Sequence, residues 1–348
     1  MFASLYKKFQ ADLEDYWHRR ATPLTHTRNF TINGMPVQMR SNHAKALTAA
    51  DHAIPQYSVQ TQRPAVSPFQ IDIIVHAPPQ DPGPPPADPF ATIHYTAHGD
   101  VFNFGLGWWG NCWANLSSGY TQITIAPSVA EQPEWIARGI LNTLFTNYLM
   151  RQGFAMLHAT ALVHKGHALL LMAPHNTGKS TTALNLVMNG GFRLLTDSMV
   201  FVEQEDEKVQ LTGFPVGRGK LRSDMVDHFP QLEGKLRGER VRDEIKHVIE
   251  LRTLQPDLVY EQAFTPDRIT LCLVQRTPTR HSFSQPATPE DTWDALMENS
   301  MHYDDWPIWE RNLQTIAPLV EQATTYHLHI GTDFADIRRE IASVIADS

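Results

Sequence analysis

The stretch Leu169–Val187, LLLMAPHNTGKSTTALNLV, sets a glycine, a lysine and a hydroxyl in succession at Gly178-Lys179-Ser180. Placed between an apolar strand and a helix, that order makes a loop that holds phosphates. Loop N–H groups turn inward and join the positive end of the helix dipole around the anion. Lys179 is positioned to reach the outer phosphates, and the Ser180 hydroxyl to hold Mg²⁺. The full pattern reads Ala173-Pro174-His175-Asn176-Thr177-Gly178-Lys179-Ser180, with Ala173 where a glycine normally stands. Alanine adds one methyl, the mildest departure at a position that favours backbone freedom. With Thr181, these residues are the expected nucleotide site. The competing reading is an ordinary glycine-containing turn with a chance Lys-Ser.

Two further residues could act on a bound phosphate. Asp197, in LLTDS, follows Lys179 by 18 residues, enough for one helix and one turn. A right-handed crossover would return the chain to the sheet with this acid at the carboxyl edge, where open α/β sheets bind ligands. There a carboxylate can orient a metal or take a proton from an attacking hydroxyl. His158, in the apolar run before the loop, could face the phosphates if its strand pairs with HALLLMA. As an imidazolium it would favour an ionised Asp197. The plain alternatives are a strand-end aspartate capping a turn and a core histidine held by hydrogen bonds.

The elements that must position these groups can be read from pattern. Phe2, Leu5, Tyr6, Phe9, Leu13 and Trp17 recur at helical spacing and give an amphipathic first helix. Asn33-Gly34 between alternating segments signals a hairpin. The proline-dense APPQDPGPPPADP, residues 77–89, excludes helix and central strand and reads as a linker or exposed loop. Strand-like segments follow around a cluster of Trp108, Trp109 and Trp113, which suits either a sticky surface or a core. A long helix then runs to Gly153.

From Phe154 the pattern turns to βαβ. AMLHATALVH and HALLLMA meet at Lys165-Gly166, a tight turn, and KSTTALNLVMN is a helix closed by Gly190-Gly191. FRLLTDSMVFVEQ is the next strand, with VQLTGF pairing beside it. Helices are expected at Thr288-Pro289, from Trp306 to Glu321 and from Asp333, with a strand at YHLHI. The whole is a mixed α/β chain: an N-terminal α+β region over 1–152 and a phosphate-loop domain over 153–348.

A formal charge of -8 argues against a dedicated nucleic-acid binder. No run approaches the ~18 apolar residues that cross a bilayer. Cys112 and Cys272 alone support neither a disulfide framework nor a cysteine-rich zinc site, which suits a reducing, cytoplasmic setting. Arg218, Lys220 and Arg222 alternate in GRGKLR. If extended, they share a face able to hold transferring phosphate or an acidic substrate. A solvated basic turn is the alternative.

Taken in order, LHATALV, NTGKSTTALNLVMNGG and RLLTDS resemble the HPr kinase/phosphorylase superfamily, whose fold is that of phosphoenolpyruvate carboxykinase. The resemblance covers about Phe154 to Gly217. It implies that Lys179 and Ser180 bind nucleotide phosphate and Mg²⁺. It also implies that Asp197 activates a serine hydroxyl with support from His158. Ser198 stands where the second acid of the family's aspartate pair falls, and Gln210 where a glutamate is expected. The second change argues against phosphorylase activity.

The function expected is therefore ATP-dependent transfer of the γ-phosphate to a hydroxyl of a peptide, protein or small molecule. Two alternatives stay open: a nucleotide-binding regulatory or assembly module without transfer, and a carboxykinase-like or NTP-hydrolysing enzyme. Neither the acceptor nor the donor base is legible. The superfamily often forms oligomers, which leaves a homo-oligomer open.

Overall fold

A computed structural model of the chain describes residues 22–57, 67–78, 80, 82–174, 177–205, 208–241, 244–300 and 306–347. The expected first helix lies outside them, as do His175 and Asn176 of the expected nucleotide loop. The chain forms two compact units. One comprises Met1–Phe30, Pro36–His52 and Ser67–Leu144; the other comprises Thr31–Met35, Ala53–Val66 and Phe145–Ser348.

A seven-stranded sheet dominates the first unit. Its strands are β1 (His26–Ile32), β2 (Met35–Ser41), β3 (Phe69–Val75), β4 (His94–His98), β5 (Val101–Gly105), β6 (Gly110–Asn115) and β7 (Tyr120–Ile125). They lie in the order β1-β2-β3-β7-β6-β5-β4. Asn33 and Gly34 join β1 to β2 with φ of 41° and 78°. Positive φ at both turn residues is what a two-residue hairpin needs to match strand twist.

No helix or strand forms among the described residues between Val75 and Pro89, as the prolines dictate. Two indoles hold that segment: Trp109 Nε1 donates to the Gly83 carbonyl and Trp135 Nε1 to the Pro86 carbonyl, each at 2.9 Å. Pro-rich backbone has few N–H donors but keeps every carbonyl, so indole N–H groups suit it. Trp109 is thus structural, whereas Trp108 is 83% exposed.

The helical run before Gly153 is interrupted. A short helix, Pro133–Ile136, passes through a π turn at Ala137–Leu141 into α1 (Asn142–Arg151).

In the second unit the apolar run expected as one strand divides at His158 and Ala159. It gives β8 (Ala155–Leu157) in one sheet and β9 (Thr160–His164) in another. After β9 come β10 (His167–Met172), α2 (Lys179–Asn189) and β11 (Arg193–Thr196). FRLLTDSMVFVEQ likewise divides: β11 ends at Thr196, and β12 (Met199–Glu205) pairs with β13 (Lys208–Phe214) in a separate sheet. The break has a packing cause. Gly213 of β13 passes so close to the Leu195 carbonyl that any Cβ there would collide with it. β13 thus crosses over β11 where β12 leaves the sheet.

Three further strands, β14 (Arg218–Arg222), β15 (Arg237–Val241) and β16 (Glu244–Glu250), form a small sheet in the order β14-β16-β15. The chain ends through β17 (Arg268–Arg276), β18 (Phe283–Pro286), α3 (Pro289–Asn299), α4 (Trp306–Ile316), β19 (Ala323–Ile330) and α5 (Phe334–Asp347). α3 opens with the expected capping box, Thr288 and Asp291 bonding reciprocally. The helix expected over Trp306–Glu321 is interrupted at Ala317, and Pro318 starts a new turn.

The main sheet runs β11-β9-β10-β17-β19-β18. β10, β17 and β19 are parallel, and β9 is antiparallel to both β10 and β11. β11 therefore points the same way as β10. Both faces are covered: Leu169 and Leu171 pack with Leu184 and Val187 of α2, whereas Ala168, Leu170 and Met172 pack with Leu296 and Ile316. Two-sided burial is why this strand reads as unbroken apolar sequence. Among the described residues no helix is long and apolar enough to cross a membrane.

Candidate phosphate-binding site

At the carboxyl end of β10 the chain turns through Ala173 and Pro174 and enters α2 at Gly178, whose φ is 104°. That conformation is strained for any L side chain, and a Cβ there would also stand 3.0 Å from Ile330 Cδ1. Glycine before the lysine is thus required by the turn itself. It leaves the first N–H groups of α2 without helical partners, the arrangement that receives an anion.

Lys179 is the first residue of α2 and is 9% exposed. Its ammonium donates to the carbonyl oxygens of Ala173 and, at 3.2 Å, of Pro174. Burial pulls its pKa down to about 8; Asp197 opposes the shift and the positive charge of Lys246 adds to it. A multiply charged anion at the helix terminus would remove this frustration.

Because β10 and β11 run in the same direction, Asp197 emerges at the same sheet edge as the loop. Two hydrogen bonds hold its carboxylate. Thr160 Oγ1, at the start of β9, donates to Oδ1 at 3.2 Å, and the main-chain N–H of Lys220 donates to Oδ2 at 2.9 Å. The Ser180 hydroxyl also favours the ionised form of this carboxylate. The residue is 7% exposed, and burial raises its pKa to about 6 despite the charge of Lys220 and these donors. The carboxylate is thus ionised near neutrality yet basic enough to accept a proton.

Lys179, Ser180, Asp197 and Lys220 therefore converge. Lys220 also donates from Nζ to Ser198 Oγ at 3.1 Å, so the residue in place of the second acid anchors a cation. His158 lies between β8 and β9, where its N–H donates to the Asn299 carbonyl at 2.7 Å. It does not sit on a strand paired with β10. Instead it lines a cavity of about 580 Å³ with Ala173 and Pro174 of the loop, Gln275 near the end of β17, and Asp294 and Glu298 of α3. Arg218 and Arg222 are on β14 with Lys220, ion-paired to Glu250 at 3.3 Å and Asp224 at 3.1 Å. Gln210 is buried on β13, with its amide 3.4 Å from Thr265 Oγ1.

Sequence reasoning did not single out Thr160, the backbone of Lys220, or the carboxylates of α3. The threonine carried a faint signal, a polar residue in an otherwise apolar strand. The others depend on contacts between distant segments.

No family model and no curated protein matches the chain. Among solved structures it is similar to the structure of the Hpr(Ser) kinase/phosphatase from Coxiella burnetii, at 15% identity and a TM-score of 0.26. That match covers 55% of this chain and 94% of the other. It is a distant structural relationship and says nothing of activity.

Proposed function

We propose that this protein is an ATP-dependent kinase that transfers a γ-phosphate to a hydroxyl, with a core of the phosphate-loop carboxykinase type. One observation carries the reading. A buried carboxylate with raised proton affinity, Asp197, is fixed at the sheet edge from which the glycine-lysine-serine helix terminus also emerges.

The phosphates would lie against the N–H groups from Gly178 to Thr181, with Lys179 leaving its loop carbonyls to reach the outer ones. Ser180 and Asp197 would hold Mg²⁺, which when bound neutralises phosphate charge. Ser180 stands near enough to Asp197 to favour its ionised form. Among the described residues no group of three or more His, Cys, Asp or Glu could hold a metal alone. That fits an ion that takes most of its ligands from phosphates and water.

In the reaction the acceptor oxygen bonds to the γ-phosphorus as the bond to the β-phosphate oxygen breaks. The hydroxyl proton passes to Asp197 and the nucleoside diphosphate departs. Catalysis then rests on positioning and charge rather than covalent chemistry. Incubation with γ-labelled ATP and Mg²⁺ beside hydroxyl-bearing acceptors tests the reading, with Lys179→Ala as control. Label moving to an acceptor with the native chain alone supports it; nucleotide binding without transfer defeats it.

A second reading, a nucleotide-binding module without transfer, is favoured by one feature. Ser198 replaces a second acid and is engaged by Lys220.

A further inference from the structure

The small sheet β14-β16-β15 carries charge of the opposite sign to the chain as a whole. Side chains alternate along a strand, so Arg218, Lys220 and Arg222 share one face of β14. In the antiparallel register Arg222 stands opposite Lys246, Lys220 opposite Val248, and Val248 opposite Arg237. Arg218, Lys220, Arg222, Lys246 and Arg237 therefore occupy one face around the buried Val248, with Glu250 beside Arg218. The other face is apolar where Gly219, Leu221 and Ile249 meet Leu184 of α2. The cationic face lies opposite that core; Arg222 and Arg237 are exposed, Arg218, Lys220 and Lys246 are half-buried, and Arg218 and Arg222 pair with Glu250 and Asp224.

This face is continuous with the phosphate site. The Lys220 N–H bonds Asp197, its ammonium bonds Ser198, and the charge of Lys246 depresses the pKa of Lys179. The patch is too large for one small anion. At about 3.3 Å per residue and about 4.8 Å between strands, its cations extend over roughly 13 Å by 10 Å. An extended acidic segment of about four residues matches those dimensions, and a positive face within a chain of net charge -8 selects for such a partner.

We infer that this face docks an acidic polypeptide segment and so delivers a neighbouring serine or threonine hydroxyl to Asp197, an assignment that rests on the kinase reading of the same site. The acceptor is a protein or peptide whose target residue is flanked by Asp or Glu.

The test compares three fluorescein-labelled synthetic peptides with a central serine flanked by glutamates, by lysines, or by alanine and glycine. Binding is followed by anisotropy at two salt concentrations, and transfer by label from γ-labelled ATP with Mg²⁺. The glutamate peptide should bind at least about tenfold more tightly than the others and weaken with salt. The double variant R222E/R237E should lose that preference, whereas R222K/R237K should keep it. Both variants should bind a fluorescent ATP analogue as the native chain does, which guards against misfolding.

Equal binding of all three peptides, or a preference that survives charge reversal, overturns the docking face. Transfer to all three alike would do the same and leave the kinase reading intact. Selective binding of the glutamate peptide with no transfer would support the face and count against the kinase.

Discussion

The main-chain N–H of Lys220 donates to Oδ2 of Asp197 over 2.9 Å, tying the strand that carries the basic side chains to the carboxylate beside the phosphate loop. A backbone donor cannot swing away as a side chain can. The orientation of Asp197 is therefore fixed by strand β14, whatever the Lys220 ammonium is doing.

Asp197→Asn keeps the shape but removes the proton acceptor. Transfer should fall by about 10²–10⁴-fold, the usual contribution of a positioned base. Nucleotide affinity, measured by titration with a fluorescent ATP analogue, should stay within a few-fold of native. Transfer that persists in this variant would exclude Asp197 as the base.

The pH dependence follows from two opposed shifts. Asp197 must be ionised, and its pKa is raised to about 6, so kcat/KM should fall as pH drops through that value. Lys179 must be protonated, and its pKa is lowered to about 8, so kcat/KM should fall again as pH rises through it. The profile is a bell with its plateau between. Thr160→Val deletes one hydrogen bond to the carboxylate and should move the acid limb upward by about one unit, leaving the alkaline limb in place. An acid limb unmoved by this change would mean that another group sets it.

Lys179→Ala removes a charged donor from the phosphates and should weaken nucleotide binding by about 1.5–3 kcal/mol. Thermal-shift measurements should then lose most of the stabilisation that saturating nucleotide gives the native chain. Full nucleotide-induced stabilisation in the variant would place the phosphates elsewhere.

Gly213→Ala would drive a methyl into the Leu195 carbonyl, beside the turn that releases Asp197 from β11. Overpacking against rigid backbone should cost at least about 2 kcal/mol, read as a lower denaturant midpoint. A variant as stable as the native chain would show that β11 and β13 can part there.

Local chemistry was well written in the sequence. The Asn33-Gly34 and Lys165-Gly166 turns, the Thr288–Asp291 cap and the strand–glycine–helix passage at Gly178 each depend on neighbours a few residues apart. The α/β character followed from the same periodicities. What stayed hidden was long-range. A continuous apolar run does not reveal that it changes sheets, so the breaks at His158 and at Asp197 went unseen. The backbone amide of Lys220 carries no side-chain signature, and the carboxylates of α3 reach the cavity because α3, β17 and β19 line it together, with His327 of β19 3.4 Å from Asp291. The tryptophan cluster could not be divided by pattern. The structure divides it: Trp109 is anchored to the Gly83 carbonyl, whereas Trp108 and Trp113 are exposed.

The most direct test is a crystal structure with a non-hydrolysable ATP analogue and Mg²⁺. Density for the β-phosphate against the N–H groups of Gly178 to Thr181, with the terminal phosphate turned toward Asp197, is the predicted result. Phosphates bound away from Lys179, or Asp197 facing away from the terminal phosphate, would contradict the account.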